Sequence, residues 1–421
     1  MARKMKDSGI EWIGEIPEGW SIARGKHILT LLQRAVFPTD GVITCFRDGE
    51  VTLRSNRRED GFTVSLKEIG YQGIEPGDLV VHGMDGFAGS IGISDSRGKS
   101  SPVLVVLDSS QDKKYLMYYL RSMAYNNVFL ALSTGIRVRS CDLKWNKLAD
   151  LLYLVPPIVE QHKLVSFLDE KCSEIDAMLS KTRASIEEYK KLKQAVITQA
   201  VTKGVRGERE MKDSGVEWIG EIPKEWVCEK IKYATSISRG LFNHRPRNDE
   251  RYYNGKYPFI QTGDVANATK YIVSYSQTLN ELGKAVSKEF PKGTLTMTIA
   301  ANVGDVAILN FDAYFPDSVV CFIPNKNIRT LYLFYVFSSM KDEFTRTAIK
   351  STQLNLNIDR VKETFIPVTL SVNEQCEIEN YLESKCAEID GLIAKKEQLV
   401  KELESYKKSL IYEVVTGKRE V

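Results

Sequence analysis

The side chains best suited to do chemistry in this chain are two groups of arginines and amides. Arg54, Asn56, Arg57 and Arg58 crowd one short stretch, and Asn243, Arg245, Arg247 and Arg251 crowd another. Two polar loops add to them: Ser133 to Arg139, with Arg137 and Arg139, and Ser351 to Asn357, with Gln353 and Asn355. A guanidinium can grip phosphate or take guanine bidentately, and Asn or Gln can pair with adenine, so the inventory fits base reading in a DNA groove. Solvated, charged loops are the competing reading of the same residues.

Catalytic patterns are missing. The sequence has no G-x-x-x-x-G-K-[ST] phosphate loop, no G-x-G-x-x-G dinucleotide turn and no N-P-P-[YF] tetrapeptide of an amino-methyltransferase; Pro156-Pro157 sits instead in Val155-Pro156-Pro157-Ile158. The nearest nuclease-like triplet, Glu383-Ser384-Lys385, falls on an expected helix. His27, His82, His162 and His244 are scattered, and the 7 cysteines include no C-x-x-C pair, so neither a metal site nor a disulfide framework is expected. Gly89-Ser90-Ile91-Gly92 reads as a hairpin turn, not a nucleophile elbow. With 43% hydrophobic and 27% charged residues and no long apolar run, the expectation is a soluble cytoplasmic protein that binds no cofactor of its own. The overall charge is only +3, yet basic residues outnumber acidic ones in both 21–155 and 227–368, which permits a polyanion partner.

Those loops must be positioned by something, and the chain's internal duplication shows what. Met5 to Pro17 returns as Met211 to Pro223, differing only at Ile10 against Val216. A second repeat follows each unit: Glu160-Gln161, Phe167-Leu168, Lys171-Cys172 and Glu174-Ile175-Asp176 recur as Glu374-Gln375, Tyr381-Leu382, Lys385-Cys386 and Glu388-Ile389-Asp390. So long a period indicates a duplicated domain pair and not a solenoid.

Apolar residues in the second repeat step by three and four: Leu168, Cys172, Ile175, Leu179 and Ile186 in one copy, Ile389, Ile393, Val400 and Leu403 in the other. That spacing predicts two amphipathic helices with a coiled-coil seam. A helix of about forty residues spans about 60 Å, so each is a strut. Both begin acidic and become less so, which suits the helix dipole and favours laying the two antiparallel, with a pseudo-twofold relating the attached domains. Two helices docked each on its own domain is the alternative.

The intervening segments share little sequence but a common texture. Gly77 to Val81 and Gly293 to Met297 each lead into a glycine-bearing stretch, Gly89 to Ile93 and Val303 to Ile308, as hairpins in the same place would. Apolar stretches Tyr115 to Met123 and Leu331 to Met340 read as helices. The expected fold is α+β: two globular α/β domains joined by two long helices forming an antiparallel coiled coil. The boundaries are domain 1 over 1–158, helical spacer 1 over 159–205, domain 2 over 206–370 and helical spacer 2 over 371–421.

The opener Asp-Ser-Gly-[Ile/Val]-Glu-Trp-Ile-Gly-Glu-Ile-Pro, the junctions Pro156 to Gln161 and Val372 to Gln375, and the helix ends Tyr189 to Gly204 and Tyr406 to Lys418 together resemble specificity subunits of type I restriction-modification enzymes. The resemblance covers the whole chain, although the second junction lacks the double proline. It implies a non-catalytic subunit whose two target-recognition domains read a bipartite, asymmetric sequence in double-stranded DNA. It also implies two modification subunits that carry S-adenosylmethionine and restriction subunits that use ATP and Mg. Trp12, Trp218, Tyr189 and Tyr406 are then candidate anchors for domain, strut or partner contacts, with plain intramolecular packing as the competing role. The runner-up reading of the whole chain is a coiled-coil protein-binding scaffold that does not read DNA.

Overall fold

The computed structural model describes residues 3–57, 68–131, 143–347, 349–350 and 354–421. It contains two long helices, Ile158–Lys203 and Val372–Val415, and two compact units. The first unit comprises residues 1–183 and 397–421; the second comprises 184–396. Each unit therefore holds one half of each long helix.

In the first unit the repeated opener folds as a hairpin, Met5–Asp7 against Glu15–Pro17. Its turn is closed by the Asp7 carboxylate, which accepts from the Gly9 amide at 2.9 Å, and by Gly9 and Gly14 at positive φ. A four-stranded antiparallel sheet follows, in the order 29–31, 104–109, 79–82, 91–93. Leu79 and Val81 face the main core with Leu107, whereas Val80 and Val106 face a second cluster with Ile43, Cys45, Val51 and Ile74. A strand buried on both faces reads as a continuous apolar run, which is why Leu79-Val80-Val81 shows no alternation. Helix Lys113–Tyr125, capped by Asp112, covers the sheet with Tyr115, Leu116, Tyr119 and Leu120. Leu168, Cys172, Ile175 and Leu179 from one long helix and Leu410, Ile411, Val414 and Val415 from the other complete this core.

The second unit repeats the frame. Its opener pairs Met211–Asp213 with Glu221–Pro223. Its sheet runs 235–239, 319–324, 295–298, 306–309, with Tyr271–Ile272 added in parallel at the edge. The expected hairpins are present in both units: Val81 faces Ile91, and Met297 faces Val306. Helix Thr330–Ser339 fills the place of Lys113–Tyr125, and Ile378, Leu382 and Cys386 close the core against Ile197, Ala200 and Val201. The additions differ. The first unit carries a small hairpin, Ile43–Cys45 with Val51–Leu53; the second carries a separate sheet ordered 277–279, 253–259, 313–314, 289–290.

Within each unit the two long helices run antiparallel. In the first, Asp176 binds Lys407 at 2.7 Å and Arg183 binds Glu404 at 2.6 Å, so one number rises as the other falls. In the second, Tyr189 lies under Lys396 and Lys193 binds Asp390 at 2.7 Å. Leu168, Cys172, Ile175, Leu179, Ile186 and Ile389 are buried; Ile393, Val400 and Leu403 are half-buried.

The repeated Glu-Gln pair shows why each long helix starts where it does. Gln161 donates to Pro156 O at 2.8 Å and accepts from the Asp112 amide at 3.0 Å, tying the junction to the cap of the neighbouring helix. Gln375 does the same, donating to Thr369 O and accepting from the Arg329 amide, both at 2.8 Å. The second junction thus keeps its latch without the double proline, and the helix begins at Val372.

The far end of the second long helix stops at Gly417, φ +72°, where a Cβ would lie 2.4 Å from the ring of Pro17 in the opener. Gly14, φ +71°, has open space in the same direction. Gly14→Ala should cost only the left-handed penalty of about 1 kcal/mol. Gly417→Ala should cost about 1–3 kcal/mol more, because a rigid proline ring must yield. Equal losses of thermal stability in the two variants would rule out the packing of opener on helix end as a constraint.

Candidate nucleic-acid interface

Arg54 and Arg57, two of the basic side chains picked out in the first unit's sequence, directly follow its small hairpin. Phe46 to Glu50 form the turn: the Glu50 amide donates to Asp48 Oδ1 at 3.1 Å, and Gly49 takes φ +89°. Arg121, buried on helix Lys113–Tyr125, donates to Asp48 O from beneath. Gly49 lies so close to that guanidinium that any Cβ would meet it at 1.4 Å. Arg57 stacks 4.2 Å over the Phe46 ring and pairs with Asp48 at 2.6 Å and Glu50 at 3.0 Å. Burial pushes the Asp48 carboxyl up, but the Arg57 hydrogen bond and the Glu50 amide outweigh it and hold the group below its ordinary value.

Arg54 and Arg57 open into one cleft of about 820 Å³, whose lining also includes Arg47, His82, Asp85 and Ser90. Arg54 Nε donates to Thr44 Oγ1 at 2.9 Å, and Arg47 pairs with Asp85 at 3.0 Å. Asn56 is turned onto Thr52 Oγ1 at 2.9 Å and does not line the cleft. Arg58, Arg137, Arg139 and Gln353 lie outside the described residues.

In the second unit, Arg245 and Arg247 converge on the carboxylate of Asp317. Arg251 lies apart, paired with Asp249 at 2.7 Å, and holds that carboxyl far below the ordinary range. Asp249 also meets His244 at 3.0 Å, and His244 stacks on Tyr252 with centroids 4.0 Å apart. Asn243 is exposed, with its amide donating to Val286 O at 3.0 Å. Asn355 lies in strand Leu354–Asn355, which pairs with Ile349–Lys350.

Of the aromatic candidates, Trp12 is half-buried against the first core, 6.1 Å from Tyr119 and 6.2 Å from Tyr412, and its carbonyl accepts from the Tyr412 hydroxyl at 3.0 Å. Trp218 packs on the second core, and Tyr189 is half-buried. Tyr406 is 50% exposed, the one of the four whose ring is left largely to solvent.

Four site residues escaped the sequence reading: Arg47, His82, Ser90 and Arg121. Arg47 had a local signal, since Phe46-Arg47-Asp48-Gly49-Glu50 is an Asp-Gly turn between two short β-prone runs. The others become visible only through contacts across the fold. Among the described residues no cluster of metal-ligating side chains is present, and no helix is long and apolar enough to cross a membrane.

Residues 237–402 match the family model described as the type I restriction modification DNA specificity domain. Along nearly its whole length the chain is similar to the MjaX type I restriction enzyme specificity subunit of Methanocaldococcus jannaschii, at 23% identity over 96% of this chain and 95% of the relative. The MjaIX specificity subunit of the same organism is 30% identical over 38% of each chain. A solved chain from work titled as the structural basis of complex assembly and conformational transition of the type I R-M system superposes with a TM-score of 0.74. That superposition covers 96% of this chain and 99% of the other at 15% identity, and so bears on the fold. The family model, the end-to-end relative and the shared fold point the same way: the chain is similar to specificity subunits of type I restriction-modification systems, and residues 237–402 match the DNA specificity domain of that family.

Proposed function

We propose that this subunit reads a bipartite, asymmetric site in double-stranded DNA, one half-site per unit, and that its paired long helices set the unread spacing between the halves. The observation that carries the reading is that one frame is built twice with different additions. Opener, hairpin, covering helix and glutamine latch recur in both units, whereas the basic hairpin at 43–57 and the sheet at 253–314 do not. A shared frame with unlike loops is what two different half-sites require.

The same reading assigns the modification subunits to the helix ends and their repeated openers, where Tyr406 offers an exposed ring. Those partners would carry S-adenosylmethionine; restriction subunits would bring ATP and Mg.

The test is methylation mapping in a host that expresses this chain with its modification partner. Replacing residues 21–155 by the corresponding segment of another specificity subunit should change one half of the methylated site and leave the other half and the spacing intact. A changed second half-site would refute independent reading. Purified chain should also bind duplex with log affinity falling linearly in log salt. Salt-independent or absent DNA binding would turn the assignment toward a protein-binding scaffold.

A further inference from the structure

The cleft of the first unit is concave, and a paired base in a duplex is not. His82 and Ser90 stand opposite each other on adjacent strands, the His82 amide donating to Ser90 O at 3.0 Å, so their side chains share one face and line the cleft together. His82 Nδ1 accepts from the amides of Asp85 at 2.9 Å and Met84 at 3.3 Å. That fixes the proton on Nε2, which has no hydrogen-bond partner among the described residues. Burial lowers the His82 pKa from its ordinary value, so the ring is neutral at pH 7. Ser90 is fully buried, and its Oγ has no partner. A buried hydroxyl left unsatisfied beside a lone imidazole N–H is costly unless a ligand completes it.

The rim is cationic. Arg47, Arg54 and Arg57 border the opening, with Asp85 and Asp48 holding Arg47 and Arg57 in exposed pairs that a phosphate can displace. The volume of about 820 Å³ lies within the roughly 300–1,000 Å³ of clefts that enclose a small ligand.

We infer that this cleft takes one unpaired nucleotide, its phosphate against the guanidiniums of the rim and its base against His82 and Ser90. The inference rests on the DNA reading proposed above, since the nucleotide would come from the bound duplex; a free nucleotide has the same chemistry. A base must leave the stack to enter a concave pocket. Nε2–H asks for an acceptor and the Ser90 hydroxyl can take a neighbouring N–H, a pair that thymine offers at a carbonyl and N3–H and adenine at N1 and its amino group.

Three short duplexes, identical except for full pairing, one extrahelical thymine or one extrahelical adenine, separate these possibilities when titrated with the full chain. An extrahelical base has already left the stack, so the thymine and the adenine duplex should each raise affinity about tenfold over the paired duplex. Ser90→Ala, which removes only an unsatisfied hydroxyl, and His82→Asn, which keeps an acceptor for the Met84 and Asp85 amides, should each abolish the gain from the extrahelical base. The gain is read within each variant as the ratio of extrahelical to paired affinity, so that a general change in duplex binding cancels. Equal affinity for all three duplexes, with salt-dependent binding intact, overturns this inference and leaves the DNA reading standing. Binding of thymidine monophosphate that is sensitive to both variants, without binding of any duplex, overturns the DNA reading and makes the cleft a free-nucleotide site. Thymidine monophosphate binding no tighter than inorganic phosphate removes the role given to His82 and Ser90.

Discussion

Glu374→Ala should destabilise the second unit by about 3–5 kcal/mol, the cost of stripping one partner from a buried charge pair. Glu374 is 1% exposed at the start of its long helix. Its carboxylate accepts from Arg209 at 2.6 Å, from the Trp226 indole at 3.1 Å and from the Thr369 hydroxyl at 2.9 Å. Without it, Arg209, 5.4 Å from the Trp226 ring in a nearly closed site, keeps only one carboxylate, the exposed Glu225 at 2.9 Å, and the indole loses its acceptor. The turn after the repeated opener, through Trp226, and the junction, through Thr369, would both come loose from the helix start. Denaturant unfolding followed by hydrogen exchange in strands 295–298 and 319–324 measures this; a loss under about 1 kcal/mol would show the carboxylate to be dispensable.

The first unit supplies the control. Arg3 and Glu160 pair at 2.5 Å over Trp20, the same residue types at the matching repeat positions, but both side chains are more than 20% exposed and the Trp20 indole nitrogen does not join them. Solvent screens such a pair, and Glu160→Ala should cost about 1 kcal/mol or less. The acid response follows from the sign of the Glu374 shift. Burial raises its pKa, but the three hydrogen bonds, Arg209 foremost, bring it below the ordinary value. A depressed carboxyl contributes stability that is fully present above its unfolded pKa of about 4.3 and is lost as pH falls through the lower folded value. The second unit should therefore lose stability on acidification below about pH 4, and Glu374→Gln should flatten that part of the profile.

The features legible from sequence were those encoded by spacing. Leu168 to Leu179 and Ile389 to Leu403 advertise helices because three- and four-residue steps survive in one dimension, and the openers advertise themselves by repetition. Helices at 113–125 and 330–339 followed from apolar runs between turn signals. What spacing cannot encode is partner choice. Arg245, Arg247 and Arg251 read as free basic groups until Asp317 and Asp249 are seen to hold them. Arg121 looks like one more charge on an otherwise apolar helix; only the fold carries its guanidinium to Asp48 O, under a glycine that leaves it room. The Glu-Gln repeat was plain, but its meaning depends on Arg209 and Asp112, residues far from it in the chain. The sheet at 253–314 escaped for the same reason, since it joins Phe259 to Tyr314 in parallel across a long intervening stretch.

Leu168→Ala and Leu382→Ala, taken as a matched pair, should each cost about 2–5 kcal/mol, the range for emptying a fully buried leucine site. Both side chains are 0% exposed, and both occupy the same place in the repeated helix start. Leu168 packs among the first unit's Tyr115, Leu116 and Val415; Leu382 packs among the second unit's Tyr332, Val336 and Ile366. The two leucines belong to different cores, so the losses should add in the double variant to within about 0.5 kcal/mol. They should also be separable. Hydrogen exchange in Leu168→Ala should accelerate in strands 79–82 and 104–109 and helix 113–125, with strands 295–298 and 319–324 retaining protection; Leu382→Ala should give the converse. Equal acceleration in both units from either variant would mean that the long helices transmit the damage and that the chain unfolds as one cooperative block. That outcome would also bear on half-site reading, because exchanging one recognition segment while its neighbour keeps its specificity requires two cores that tolerate change independently.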